Sequence, residues 1–490
     1  MIVTKPADVI GTCERLELAP ELLAELRATR SAMLAGIDSG SAPVYGVNTG
    51  MGRLAGVRLT AEQQAAHQRN LLVGRAVGGP PWLSAELTRA LLLMRLRGFL
   101  RGEAAVSAEL ISFLVDRLND GFLPAVPRGG LGSAGEIIPL AHAFQTFVGI
   151  GSVLADGATV PAAEALARRG VEPFVLGPKE GASLIQGSPL AEAYAWICGE
   201  QVRRLVGLQT VCAALVVDVL GAPQDVYHSP MVNEHAGGVL AEVCRLVEGA
   251  VSRPGVVQAP VSVRVGPRAI GFLEQTRVDL VRAVDESWET PADSPSFLDG
   301  RLVPTTGYHA VELGLRMDAV KAALVHVAEI AVQRLHRLLD PQFSGLAPQL
   351  SADPGPQAGL TPLHKRAVGE LHAMRRSAAP ATVGSVDTSG GQEDVQAFAW
   401  AAGAELEEAV EHLFAVTACE LIAVRQARYL VDSSAGSDPS PGPAQRPEAP
   451  NLGPTYSWLA ELIAPMPVDR PLGPEVERVV EACREGRPPR

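Results

Sequence analysis

Residues 128–142 read Arg-Gly-Gly-Leu-Gly-Ser-Ala-Gly-Glu-Ile-Ile-Pro-Leu-Ala-His and join a glycine-rich loop directly to an apolar helix. Taken alone, such a loop can bind an anion at a helix N-terminus, but Glu136 in the first turn disfavours phosphate. Gly130, Gly132 and Gly135 match the letters of a dinucleotide-binding motif, yet no strand-to-helix unit surrounds them. The segment therefore predicts a flexible loop on a helical frame, the usual position for chemistry, and no nucleotide site.

Three long stretches that follow this loop are predicted to be helices. From Leu313 to Leu339 apolar residues recur at three- and four-residue steps, and Asp340-Pro341 supplies the stop. Pro189 to Leu220 and Phe398 to Leu430 have the same character and carry apolar residues on more than one side, which is typical of central helices in a bundle. We therefore predict a mainly α fold, a long-helix bundle with a loop-rich N-terminal part.

The chain is predicted to divide into four consecutive parts. Residues 1–190 form a loop-rich helical domain, residues 191–431 the central bundle, residues 432–454 a flexible linker and residues 455–490 a C-terminal helical segment. The central helices are apolar around too much of their circumference for a monomer to cover. We expect an obligate tetramer, with homotetramer as the simplest form.

Composition limits the classes of function. The 490 residues include 42 Lys+Arg and 54 Asp+Glu, a formal net charge of −12, and 47% are hydrophobic. An acidic chain without a basic run favours neither nucleic acid nor an anionic membrane, and its apolar runs are too short to span a bilayer. Six scattered cysteines predict neither a disulfide framework nor a metal site. We expect a cytoplasmic protein that acts on a small molecule.

Tyr45 opens the sequence Tyr-Gly-Val-Asn-Thr-Gly-Met-Gly, which ends at Gly52. Its glycines let the chain approach closely while the phenol projects into a cavity. A phenol in that position can act as a general acid or base if its pKa is lowered. The alternative is a turn with a packed tyrosine.

Several collinear segments, from about residue 40 to about residue 430, share their motifs with one family. They are Tyr45 to Gly52, Gln68-Arg-Asn-Leu71, Gly132 to His142, Lys179 to Gly187, Ser262-Val-Arg264 with Pro267 and Gly271, Gly307-Tyr-His309, Leu339-Asp-Pro341 with Ser344-Gly-Leu346, and Gln392-Glu-Asp394. Together they resemble the aromatic amino acid lyases: histidine, phenylalanine and tyrosine ammonia-lyases and the related aminomutases. The resemblance implies a mostly helical homotetramer whose active sites each draw on several subunits.

The resemblance also implies a prosthetic group, and here the sequence departs from the family. In the family an Ala-Ser-Gly triplet cyclises and dehydrates to methylidene-imidazolone, whose alkene is the electrophile. The aligned triplet is Ser133-Ala134-Gly135, a degenerate form whose central Ala134 has no hydroxyl to lose. We therefore expect no methylidene-imidazolone, no other cofactor and no metal.

The remaining site residues are also assigned by the resemblance. Tyr45 aligns with the general base, and Glu393 is the second catalytic candidate. The substrate-binding candidates are Asn70, Arg75, Gln186, Arg264, Arg268, Tyr308 and Gln392. Arg75 replaces a family His, Arg268 a Gln and Gln186 an Asn, while Val261 replaces a second catalytic Tyr. Burying unpaired guanidinium groups is costly, so the two additional arginines predict a small anionic substrate.

Three functions are compatible with this pattern. The leading hypothesis is a lyase-fold enzyme without the electrophile, which performs acid/base elimination, addition or cyclisation on a small carboxylate-bearing substrate, in specialised metabolism. The first alternative is a conventional ammonia-lyase or aminomutase acting on an aromatic amino acid or histidine. The second is a non-catalytic homologue that binds a ligand or regulates an active paralogue.

Overall fold

In the computed structural model the described residues are 1–9, 15–38, 42–130, 132, 134–228, 230–231, 233–433 and 446–486. Within them the chain forms mostly helices. The helices are α1 Pro20–Asp38, α2 Ala61–Val73, α3 Ala85–Phe99, α4 Ala108–Asn119, α5 Ile137–Gln145, α6 Ala162–Ala167, α7 Glu180–Leu184, α8 Pro189–Leu220, α9 Glu234–Leu246, α10 Val261–Arg264, α11 Gly266–Glu289, α12 Val311–Leu339, α13 Pro341–Ser344, α14 Thr361–Arg376, α15 Ala399–Ser433, α16 Gly453–Leu462 and α17 Gly473–Arg484.

Strands contribute little to the described part of the chain. They pair as two-stranded sheets, β1 Ile2–Val3 with β2 Glu17–Leu18 in parallel, and β3 Ser152–Ala155 with β4 Ala158–Pro161 and β5 Ser296–Leu298 with β6 Arg301–Val303 antiparallel. The predicted mainly α fold is therefore confirmed.

The three predicted long helices are α8, α12 and α15, and their bounds agree with the sequence pattern to within a few residues. At the end of α12 the predicted stop is realised by Asp340, whose side chain accepts a hydrogen bond from the Gln342 N–H at 2.9 Å and caps the next helix. The stop therefore acts through capping chemistry as well as through the proline.

Four of the five boundaries between two compact units lie within helices α8, α11, α12 and α15, and the fifth lies between Pro380 and Ala381. Unit 1 comprises Met1–Ile197, Val281–Met317 and Ala381–Ala404, and unit 2 comprises Cys198–Leu280, Asp318–Pro380 and Glu405–Arg490. Both are discontinuous in sequence, so they do not correspond to the four consecutive parts predicted from composition.

The predicted flexible linker 432–454 is packed at its C-terminal end. Arg446 is buried and donates to the Val219 carbonyl oxygen at 2.6 Å, and the Ala449 N–H donates to Asp218 Oδ1 at 3.0 Å. The Ser- and Pro-rich composition does not reveal these contacts, because they join residues more than 200 positions apart. Residues 434–445 of the linker lie outside the described residues.

Each unit contains buried ion pairs. In unit 1 the Asp293 carboxylate forms ion pairs with Arg95 at 2.9 Å and with Lys179 at 2.8 Å. In unit 2 Arg334 forms an ion pair with Glu420 at 2.7 Å. Breaking such a pair leaves an uncompensated buried charge, which costs several kcal/mol. These pairs therefore fix which segments meet in each core. No helix within the described ranges is long and apolar enough to cross a membrane.

Candidate active site

The Tyr45 loop folds back on itself. The Gly52 N–H donates to the Tyr45 hydroxyl oxygen at 2.8 Å, and Gly46 has a φ of +68° that suits glycine. A Cβ on Gly46 would lie 3.1 Å from the Met51 sulfur, so the turn also has little space for a side chain. The glycines thus place a half-buried phenol against the loop that carries it.

The sequence analysis requires a lowered pKa for Tyr45 to act as a base, but the surroundings of Tyr45 raise its pKa. Burial raises the pKa of Tyr45 above its ordinary value, and the charge of Glu393 adds to the rise. The Gly52 N–H and the positive charge of Arg75 act in the opposite direction and lower this pKa. In the chain by itself Tyr45 is therefore a neutral phenol near pH 7, and its base form depends on stabilisation by Arg75 and Gly52.

Gln68 connects this loop to the rest of unit 1. It is 1% exposed, its Nε2 donates to the Gly46 carbonyl at 3.1 Å, and its Oε1 accepts from the Ala182 N–H at 3.1 Å. Ala182 lies in the first turn of α7, where backbone N–H groups have no partner within the helix. A side chain of α2 therefore caps α7 and holds the Tyr45 loop.

Gln392 and Glu393 lie in a tight turn beside the same loop. Thr388 and Glu393 form an antiparallel bridge, and the buried Gln396 donates to the Glu393 carbonyl at 2.9 Å. A Cβ on Gly52 would lie 3.9 Å from Gln392 Oε1, which puts the exposed Gln392 side chain next to the Tyr45 loop. Segments about 340 residues apart in sequence therefore lie side by side in unit 1.

Ala134 and Gly135 of the degenerate triplet lie beside Glu393 and Tyr308. Ala134 is buried and its N–H donates to Glu393 Oε2 at 3.5 Å, while a Cβ on Gly135 would be 3.6 Å from the Tyr308 ring. Ser133 lies outside the described residues. The side chain that would have to lose water is the Ala134 methyl, so the residues present do not fit methylidene-imidazolone.

Two residues that the sequence analysis did not select hold the triplet and Tyr308 in place. The buried Ser188 hydroxyl donates to the Tyr308 carbonyl at 2.7 Å. The Glu136 carboxylate accepts the N–H groups of Leu190 and Ala191, both at 2.7 Å, and thereby caps α8. Burial raises the pKa of Glu136 to about 8, against these two N–H groups, which lower it. The acidic side chain that precedes α5 therefore binds the N-terminus of α8.

Arg75 follows the C-terminus of α2 and is half-buried. Its guanidinium makes one long hydrogen bond to the Leu71 carbonyl at 3.5 Å, and no carboxylate among the described residues lies within ion-pair distance of it. The charges of Tyr45 and Glu393 raise its pKa, although burial, the larger effect, lowers it. Arg75 therefore shares the electrostatic environment of the two catalytic candidates.

The other substrate-binding candidates are less closely connected to these groups. Asn70 is exposed, and its backbone carbonyl accepts the Gly74 N–H at 2.9 Å. Gln186 is half-buried, and Arg95 donates to its backbone carbonyl at 2.7 Å, which fixes the chain but leaves the side-chain role open. The described residues thus place Tyr45, Arg75, Ala134, Gly135, Tyr308, Gln392 and Glu393 in one part of unit 1.

Arg264 and Arg268 belong to unit 2. Arg264 is half-buried and its Nε donates to the Ala259 carbonyl at 2.9 Å, whereas Arg268 is exposed. Val261, at the position of the second family tyrosine, is also exposed. Their contribution to a substrate site stays a prediction. Among the described residues no cluster of three or more His, Cys, Asp or Glu side chains could hold a metal ion.

Comparisons with known proteins agree on one family. A family model described as aromatic amino acid lyase matches residues 4–446. The histidine ammonia-lyase of Symbiobacterium thermophilum is 31% identical over 486 residues, covering 96% of this chain and 93% of that protein. Of the solved structures, tyrosine aminomutase from Streptomyces globisporus aligns with a TM-score of 0.89 at 24% identity, covering 99% of this chain and 96% of the other.

Histidine ammonia-lyase from Trypanosoma cruzi aligns with a TM-score of 0.87 at 21% identity, covering 99% of this chain and 93% of that chain. The long-helix fold of this chain agrees with these structural matches. The chain belongs to the aromatic amino acid lyase family. The resemblance found in the sequence is therefore confirmed.

Proposed function

We propose that the protein is a carbon–nitrogen lyase that releases an amine from a small carboxylate-bearing substrate at the site in unit 1. The observation that carries the proposal is the meeting of Tyr45, Glu393 and Tyr308 around Ala134 and Gly135. The reaction class is that named for the curated relatives, which are histidine ammonia-lyases.

The chemistry assigned to these side chains is an elimination. The deprotonated Tyr45 accepts the proton from Cβ of the substrate, the C–H electron pair becomes the C=C bond, and the amine leaves with the pair of the C–N bond. The Gly52 N–H at 2.8 Å and the positive charge of Arg75 stabilise the phenolate form. Glu393 supplies a negative charge that attracts the ammonium group of the substrate.

No step of this proposal passes through a prosthetic group, because Ala134 does not fit one. Loss of ammonia from an unactivated amino acid then has no electrophile to assist it. Substrates with a more acidic β-proton or an amine that leaves more readily suit the site better, and addition or cyclisation on such substrates uses the same groups. The proposed activity is thus elimination by side chains, and ammonia release from histidine or an aromatic amino acid is the candidate that the identity to curated relatives favours.

A substrate panel separates these functions. The purified full chain is incubated with L-histidine, L-phenylalanine and L-tyrosine, and with analogues of each that carry a quaternary amine, while free amine, β-amino acid and the absorbance of the unsaturated acid are followed. We expect amine release that depends on Tyr45 and is lost in Tyr45→Phe. Release from the parent amino acids identifies a conventional ammonia-lyase. Failure of every substrate rejects amine release from these amino acids and favours the non-catalytic homologue.

A further inference from the structure

Two half-buried polar side chains lie near each other at the C-terminal end of α2. His67 belongs to the helix, whereas Arg75 follows its last residue, Val73, and the C-cap Gly74. The Arg75 guanidinium reaches back to the carbonyl of Leu71, which lies one turn after His67. Leu71 is 1% exposed, so this end of the helix packs into unit 1.

Arg75 has more hydrogen-bonding capacity than the described residues satisfy. A guanidinium has five N–H donors in a planar fork. The contact to the Leu71 carbonyl at 3.5 Å uses one of them poorly, and the described residues offer it no carboxylate. Arg101, another half-buried arginine of the same unit, is paired with Glu103 at 2.9 Å and with Glu289 at 3.0 Å. Arg75 has no such carboxylate partner among the described residues.

His67 also has hydrogen-bonding capacity that the described residues do not satisfy. Its Nε2 atom is buried from solvent and has no hydrogen-bond partner among the described residues. Burial and the nearby charge of Arg75 lower the pKa of His67, so the ring is neutral near pH 7 and can donate or accept a single hydrogen bond. A buried polar atom without a partner is rare in folded proteins and costs roughly 1–3 kcal/mol. A ligand that reaches Arg75 would also come near this atom.

The position of Arg75 ties these groups to the proposed reaction site. Its charge acts on both Tyr45 and Glu393. The Glu393 carboxylate accepts hydrogen bonds from the Ala134 N–H at 3.5 Å and from the Thr388 hydroxyl at 3.3 Å. Its hydrogen-bond partners are therefore groups other than Arg75. The partner missing from Arg75 is therefore expected from the substrate.

We propose that Arg75, next to His67, binds a second anionic group on the substrate, a side-chain carboxylate or a phosphate, in addition to the amino acid carboxylate. The inference rests on the proposed function in that it concerns the same site. A planar guanidinium meets either oxyanion with two parallel hydrogen bonds, which an aromatic or imidazole side chain does not offer. The substrate class is thus a β-substituted amino acid derivative with two anionic groups.

Binding measurements on matched probes test this without requiring turnover. Isothermal titration compares 4-carboxy-L-phenylalanine with L-phenylalanine, and O-phospho-L-tyrosine with L-tyrosine, on the full-length protein. The wild type is expected to bind the charged member of at least one pair about 10- to 100-fold more tightly, the range for hydrogen bonds to a charged group. The two pairs distinguish carboxylate from phosphate.

Three variants complete the design. Arg75→Ala should bring the preference close to one by weakening binding of the charged member far more than that of the uncharged member, and Arg75→Lys should retain part of the preference. Arg69→Ala removes a positive charge from an exposed position of α2, the helix that Arg75 follows, and should leave the preference unchanged. Arg75→Lys, which keeps the charge and the long stem, provides the measurement if Arg75→Ala does not fold.

The outcomes separate the inference from the proposed function. Equal binding of both members of each pair by the wild type, or no binding of any probe, overturns the inference, as does equal loss in Arg75→Ala and Arg69→Ala. A charged-probe preference that depends on Arg75 supports it even if no substrate releases an amine. Amine release from uncharged amino acids without that preference supports the proposed function and overturns the inference.

Discussion

Replacing Gln68 by leucine should loosen the catalytic loop in a way that can be measured residue by residue. The amide of Gln68 joins the Gly46 carbonyl and the Ala182 N–H, each at 3.1 Å, inside a region from which water is excluded. Leucine has nearly the same volume, so Gln68→Leu removes both hydrogen bonds without a large cavity. Two backbone groups are then left buried without partners.

The size of the effect follows from these two groups. A buried polar group that loses its partner costs roughly 1–3 kcal/mol, so the pair together should lower the free energy of local opening by about 2–6 kcal/mol. Because each 1.4 kcal/mol is a factor of about ten, protection of the affected amides should fall by a factor between roughly 30 and 20,000. The Ala182 N–H is the most direct reporter, since Gln68 is its partner.

Hydrogen exchange followed by mass spectrometry provides the assay, with peptides that cover α7 and the Tyr45 loop. Gln64→Leu is the matched control, because Gln64 lies one turn earlier on α2 and its amide bonds only the nearby Leu59 carbonyl, at 3.1 Å. Exchange in α7 that is unchanged in Gln68→Leu, or that rises equally in both variants, would refute the role assigned to Gln68.

Three further outcomes are expected. Tyr45→Phe should lower kcat for amine release by about 10²- to 10⁴-fold, the usual contribution of a general base, with little change in substrate Kd by titration. Ser188→Ala, which loses the 2.7 Å bond to the Tyr308 carbonyl, should lower kcat/KM while Ser188→Thr restores it, and a loss in both variants would assign Ser188 a packing role. Burial raises the pKa of Glu192 from 4.5 to about 7, so its neutral form stabilises the fold fully below about pH 4.5 and this stability, on the order of 3 kcal/mol, is lost as pH rises through 7. Glu192→Gln should therefore melt increasingly above the wild type between pH 5 and 8 in differential scanning fluorimetry, and a constant difference would contradict this.

The long helices could be predicted from the sequence because their signals are local. The apolar pattern of α8 continues without interruption from Pro189 to Leu220, and the stop after Leu339 is a capping residue followed by proline. The family could be recognised because its short motifs occur in the same order along the chain. The lack of a hydroxyl at Ala134 can likewise be read directly.

The remaining features depend on contacts between distant segments. The sequence predicts that Glu136 disfavours phosphate, but it does not reveal that this side chain caps α8, 54 and 55 residues away. Gln68 belongs to a recognised motif, yet its role as a cap for α7 is fixed by a contact across 114 residues. Arg446 was assigned to a flexible segment because local composition carries no information about the Val219 carbonyl that it binds. Such roles follow only once the packing is known.

The claim that this site works without a prosthetic electrophile is tested most directly by the intact mass of the purified, denatured chain. Ring closure and dehydration at residues 133–135 would remove two water molecules, and the central residue of the triplet is Ala134. We predict the mass of the unmodified sequence and no near-ultraviolet absorbance beyond that of its Trp and Tyr residues. A chain lighter by two waters, with additional absorbance that cyanide removes, would contradict the account and restore the conventional lyase mechanism.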